Sequence, residues 1–271
     1  MSRSINRLTY GVVALPLLLG ACSDAAGPDT STRVAVRFGQ SSSSGVTASV
    51  AQLSTMGTSA GTTTPLVVTG SNGTLTITNV SFIVAEVELE CQGDDDSGPG
   101  CADFKAPPAF VRLPLGSGLV DAATAGVAAG SYTELEFEIE DLEDDLDDSP
   151  SERAQYAALR SVIRAAYPDF PDKASLVVEG TFTPIGSTQA VAFRSYFDAE
   201  IEIEMGLRPP LVVTDGVASR SLAVDVQPAL WFKRADGSVL DLSRFDYART
   251  RSVAEFEVEV KQGFRSVKYD D

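Results

Sequence analysis

Apolar and acidic residues alternate without a break from Glu134 to Glu140, with Leu135, Phe137 and Ile139 set between Glu134, Glu136, Glu138 and Glu140. A period of two predicts a β-strand with one face in the core and the other in water, as in an antiparallel sheet. Residues 200–204 repeat the pattern, with Ile201 and Ile203 between Glu200, Glu202 and Glu204. Residues 32–38 alternate too and put Val34, Val36 and Phe38 on one side. Residues 74–78 follow Asn72-Gly73, a dipeptide suited to a tight hairpin. The strand over 80–90 changes phase between Val84 and Val87, which predicts a bulge. Further strands are predicted at 109–113, 174–183, 189–204, 211–214, 221–226, 230–233 and 239–242. Residues 40–64 are rich in Ser, Thr and Gly and read as a loop or as holding a weak strand near 46–53, and residues 116–130 read as a small-residue connection.

The period lengthens in two places. Ser149-Pro150-Ser151-Glu152 reads as a capping box with proline at the first helical position. Tyr156, Leu159, Ile163 and Ala166 then share a helical face, and Tyr167-Pro168 closes a helix over 149–167. Near the C-terminus, Val253, Phe256, Val260, Phe264 and Val267 fall on one helical face, and Ser252 and Glu255 could form a second capping box. A helix over 252–267 is therefore predicted, in preference to a strand in which Phe256, Val258 and Val260 alternate with glutamates. Many short strands at turn-bounded spacing predict a mainly β fold: an antiparallel β-sandwich of Greek-key type, with one inserted helix and a C-terminal helix.

Composition narrows the chemistry. Among 271 residues there is no histidine. That removes histidine-based triads, the usual acid–base residue of neutral pH, and zinc or copper sites that need imidazole. The net charge is −17, an argument against nucleic acid as a partner. Dinucleotide, P-loop and nucleophile-elbow motifs are not found in the sequence.

The first residues carry Arg3 and Arg7 and then an apolar run from Tyr10 to Leu19, with no acid before Asp24. This is the layout of a secretory signal peptide over residues 1–21. The apolar run is about half of the roughly 20 residues a span needs, and it contains Pro16. It ends in Leu19-Gly20-Ala21-Cys22, which resembles the lipobox of bacterial lipoproteins at all four positions. The resemblance implies diacylglyceryl attachment to Cys22 and cleavage before it. Residues 22–31 would be a lipidated tether, and loss of Arg3 and Arg7 would take the net charge from −17 to −19. Lipid on Cys22 leaves Cys91 and Cys101 in an oxidising compartment, where a disulfide between them is expected.

The order of elements carries a second resemblance. The run from Gly73 to Thr78, Val87-Glu88-Leu89, and the Gly130-Ser131-Tyr132-Thr133 approach to a strand are similar to a domain family of unknown function found in bacterial lipoproteins. That family implies a transthyretin-like sandwich over 32–245, and the helical period read above places a C-terminal helical segment over 246–271. A similar strand order occurs in periplasmic partners of methanobactin. Copper binding of that kind does not carry over to a chain with no histidine and only Trp231.

Three acidic groups are candidate sites. Asp94, Asp95 and Asp96, between the two cysteines, could hold Ca2+ through oxygen ligands. Asp141, Glu143, Asp144, Asp145, Asp147 and Asp148 precede the helix and favour its N-terminus. The strand glutamates could pair as in a polysaccharide hydrolase, although regular alternation reads as a solvated sheet face. Trp231 and Phe232 could stack on sugar or fill the core. The expectation is a non-enzymatic lipoprotein of the bacterial cell envelope, placed at the outer membrane. It would be held by its lipid and would bind an envelope protein or glycan. A secreted hydrolase and a calcium-stabilised adhesion module are the alternatives.

Overall fold

The computed structural model describes residues 32–40, 64–92, 104–142, 149–214 and 219–270. Its first half runs through β1 (Thr32–Gln40), β2 (Leu66–Gly70), β3 (Gly73–Val84), β4 (Glu86–Cys91), β5 (Phe104–Ala106), β6 (Ala109–Arg112), β7 (Gly118–Val127) and β8 (Gly130–Ile139). Helix α1 (Pro150–Ala166) follows, then β9 (Leu176–Pro184), β10 (Val191–Asp198), β11 (Ile201–Val213) and β12 (Ser219–Val226). The chain ends with α2 (Ala229–Phe232), a 3-10 turn at Leu242–Phe245, α3 (Tyr247–Thr250), β13 (Ala254–Glu255), α4 (Glu257–Lys261) and β14 (Phe264–Asp270). The fold is mainly β, a sandwich of largely antiparallel sheets with one inserted helix of any length.

Three sheets make up the sandwich. The first has the order β14-β12-β1-β7, the second β13-β10-β9-β3-β2 with β6 also on β3, and the third β11-β8-β4-β5. The β1–β12 and β10–β13 pairs are parallel and the other ladders antiparallel. Alternation places Val34, Val36 and Phe38 of the first sheet, Leu75, Ile77 and Phe82 of the second, and Leu135, Phe137 and Ile139 of the third in one core. Phe38 is its hub, with ring centroids 4.9 Å from Phe137, 5.9 Å from Phe82 and 5.9 Å from Phe264.

The second sheet is covered on its other face as well. Ile83, Val177 and Tyr196 point away from the main core and pack with Ile163 of α1 and with Phe170. The predicted capping box starts α1: the Glu152 N–H donates to Ser149 Oγ at 3.2 Å, and the Ser149 N–H donates to Glu152 Oε2 at 2.8 Å. The expected bulge near Val84 is a strand change instead. β3 ends at Val84, β4 starts at Glu86, and the Ala85 N–H donates to the Glu138 carbonyl. Chain continuity therefore carries the second sheet into the third.

Further expectations are corrected. The helix predicted over 252–267 is broken into β13, α4 and β14, because Phe264 and Val267 belong to a strand paired with β12. The break falls at Gly263, where an added Cβ would come within 1.7 Å of Trp231 Nε1. The strand predicted at 230–233 is the helical turn α2, that at 239–242 is a single bridge at Val239 running into the 3-10 turn, those at 189–204 and 211–214 regroup as β10 and β11, and the connection at 116–130 contains β7. Residues 41–63, including most of the connection read at 40–64, lie outside the described residues.

Candidate functional site

The third sheet buries one face and turns the other outward. Val87, Leu89, Leu135, Phe137, Ile139, Ile201 and Ile203 go to the core, so the glutamates between them must share the opposite face. Backbone register aligns these glutamates across β4, β8 and β11. Glu138 lies between Glu86 and Glu202. Glu136 lies between Glu88 and Glu204, with Lys105 of β5 beyond Glu88. Glu134 lies between Glu90 and Gly206. Like charges set directly opposite one another destabilise a sheet pair unless the charge is taken up.

The charge is taken up in two ways. On the β5 side, the Lys105 ammonium pairs with Glu86 and lies 2.6 Å from Glu88. Burial pushes the Glu86 carboxyl up to about 7, with its hydrogen bond to Glu88 next in weight and Lys105 opposing. Protonated Glu86 can then donate to Glu88, whose carboxyl is held below its usual value by that bond and by Lys105. On the β11 side protons do the work. Burial, then the nearby Glu202, pushes Glu136 up to about 7. The same two causes raise Glu138, and burial with Glu90 and Glu204 raises Glu134. Carboxylate oxygens of Glu136, Glu138 and Glu202 can all lie within 4.8 Å of one another.

Sequence reasoning expected these glutamates to be separately solvated. Glu134, Glu136 and Glu138 are instead half-buried and in register, while Glu202 and Glu204 of β11, and Glu200 beside its start, are exposed as expected. Glu86, Glu88, Glu90 and Lys105 were not among the candidate site residues. The alternation of Glu86, Glu88 and Glu90 with Val87 and Leu89 was the available signal. The geometry does not suit glycoside hydrolysis, in which two carboxyls stand about 5–9.5 Å apart and flank the sugar. Here the oxygens of Glu136, Glu138 and Glu202 lie within 4.8 Å of one another on the outer face of a regular sheet.

Among the other candidates, Cys22, Asp94, Asp95, Asp96, Cys101, Glu143, Asp144, Asp145, Asp147 and Asp148 lie outside the described residues. Asp141 is buried at the end of the β8 segment. Cys91 ends β4, opposite Tyr132. Trp231 is fully buried against Phe82, Phe232 and Phe264, so it presents no stacking surface to a sugar. No described helix is long and apolar enough to cross a membrane. Comparison with known families, with curated proteins and with solved structures found no match to this chain.

Proposed function

We propose that the chain is a lipid-anchored, non-enzymatic binding or scaffolding module of the bacterial cell envelope, with a transthyretin-like sandwich as its folded part. The observation that carries the reading is Leu19-Gly20-Ala21-Cys22, placed after a basic and apolar leader and shortly before the first strand. A disulfide between Cys91 and Cys101 belongs to the same reading, because an extracytoplasmic location permits it.

The fold favours a domain that stands clear of the bilayer. The start of β1 is tied at one end of the sandwich, where the Thr32 hydroxyl donates to the Thr214 carbonyl at 3.1 Å. Gly130, at the start of β8, pairs with Val213 at that same end. Glu138 lies eight residues further along β8, about 26 Å away at the rise of a strand. A tether leaving from Thr32 would hold the Glu86–Glu138–Glu202 row away from the membrane, where a soluble partner can reach it. Palmitate labelling of wild type and Cys22→Ala tests the anchor. Labelled, membrane-bound wild type and unlabelled, soluble variant are expected; equal labelling of the two would refute the reading.

A further inference from the structure

The carboxylates of the third sheet are brought together by backbone pairing. With both ladders of β8 formed, opposed Cβ atoms are held about 4.5–5.5 Å apart, and the side chains can only splay within that limit. Compensation along the face is uneven. Lys105 serves β4 through Glu86 and Glu88, while the β8–β11 ladder carries Glu138 against Glu202 and Glu136 against Glu204. β11 is also the edge strand of this sheet, and its pairing with β8 is interrupted between Gly206 and Leu211.

We propose that the Glu136, Glu138 and Glu202 carboxyls, gathered within 4.8 Å across β8 and β11, form a proton-operated latch: a proton held on β8 by Glu136 or Glu138 keeps the first half of β11 on β8, and its loss loosens that edge while the second sheet stays intact. The charged groups around the latch all bear on this. Glu134 lies on β8 and Glu204 on β11, while β4 contributes Glu86, Glu88 and Glu90. Lys105 of β5 is the paired cation, with Glu152 of α1 close enough to feel its charge. Glu140 and Glu200 sit exposed at the outer end, and Arg208 lies within the interruption of the ladder.

The direction follows from the raised carboxyls. A group that binds its proton more tightly in the folded state adds stability that is complete below its unfolded value. For Glu136 and Glu86 that stability is lost as pH rises from about 4.5 through about 7. Glu88, Glu152 and Asp236 shift the other way and act only below the ordinary carboxylate range. With no histidine in the chain, no imidazole titrates in this window to obscure the effect. The latch goes beyond the anchor reading and does not depend on Cys22.

The test uses the full chain in detergent, with thermal midpoint and site-resolved amide exchange measured at about pH 5.5 and about pH 8. The midpoint should fall by roughly 2–4 °C at the higher pH, the shift of about 1 kcal/mol in a chain of this size. After correction for intrinsic rates, protection at Ile203 and Met205 should drop about tenfold, with protection at Val177 and Val178 unchanged. Glu136→Gln and Glu202→Gln should each raise the midpoint at about pH 8 and flatten the pH dependence. A wild-type midpoint that is flat or rises toward alkaline pH overturns the proposal. So does an undiminished pH slope in both variants, or loss of protection in β9 equal to that in β11.

Discussion

The second and third sheets of this sandwich are joined through Ala85, yet they handle polar groups in opposite ways. The second is packed on both sides, with Phe82 and Val178 in the main core and Ile83 and Val177 under α1. Its buried serines and Asn79 are each bonded to a fixed partner. Ser175 Oγ donates to the Ala199 carbonyl at 3.1 Å and accepts from the Ala199 N–H at 2.8 Å. Asn79 Nδ2 donates to the Tyr167 hydroxyl at 2.8 Å, and Ser195 Oγ to the Leu242 carbonyl at 3.1 Å. The third sheet has a core on one side only, and its outer face balances charge with protons and Lys105. A doubly covered sheet requires local hydrogen bonds, whereas a half-covered one can leave its charge to solution conditions. The third sheet should respond to pH and salt more strongly than the second, where burial raises one strand carboxyl, Asp198, and Arg194 pairs with Glu179 at 2.8 Å.

The largest way to break the contrast is to empty the shared core. Phe82 is fully buried, with Phe38, Trp231 and Phe264 rings at 5.9, 6.3 and 6.2 Å. Phe82→Ala should cost about 3–5 kcal/mol, read from denaturant unfolding, and the loss should be the same at acid and alkaline pH. A loss under about 1 kcal/mol would mean that the aromatic hub is not where the sandwich draws its stability.

A smaller effect is expected at the edge of the third sheet. β4 ends at Cys91 and β5 begins at Phe104, so a Cys91–Cys101 bridge would hold these two strands together. Replacing both cysteines by serine should cost roughly 2–3 kcal/mol in the chain-entropy model, without preventing folding. Intact mass after alkylation without reductant identifies the bridge directly. Two alkylated thiols, or a double variant as stable as wild type, would remove this staple from the account.

Legibility followed the same division. β8 could be read residue by residue because one face is wet, and the capping box of α1 is a local device whose partners lie three residues apart. β7 was missed because Ala122, Thr124 and Ala125 are small; its strand form comes from pairing with β1. The C-terminal segment misled because Val253, Phe256, Val260, Phe264 and Val267 do match a helical period. Long-range pairing with β12, and the close approach of Gly263 to Trp231, outweigh that local preference. In the candidate site, the outward direction of Glu134, Glu136 and Glu138 was legible. Their alignment with Glu86, Glu88, Glu202 and Glu204 was not, because register between distant strands is fixed by the assembled core rather than by any one strand.

The smallest effect gives the sharpest comparison. Raising ionic strength from about 0.1 M to about 1 M shortens the screening length from about 10 Å to about 3 Å. Repulsion between ionised glutamates across β8 and β11 acts over a few ångströms on a water-exposed face, so salt should relieve part of it. Wild type at about pH 8 should gain a few tenths of a kcal/mol, within the range of single cross-strand pairs. At about pH 5.5, where Glu136 holds its proton, the gain should be smaller. Sodium chloride also has general effects on burial, so the decisive quantity is the difference between wild type and Glu136→Gln at each pH. General effects cancel in that difference, and only charge on the third sheet remains. Equal salt responses of wild type and variant at about pH 8 would show that the glutamate rows carry no unrelieved charge, and the two sheets would then differ in packing alone.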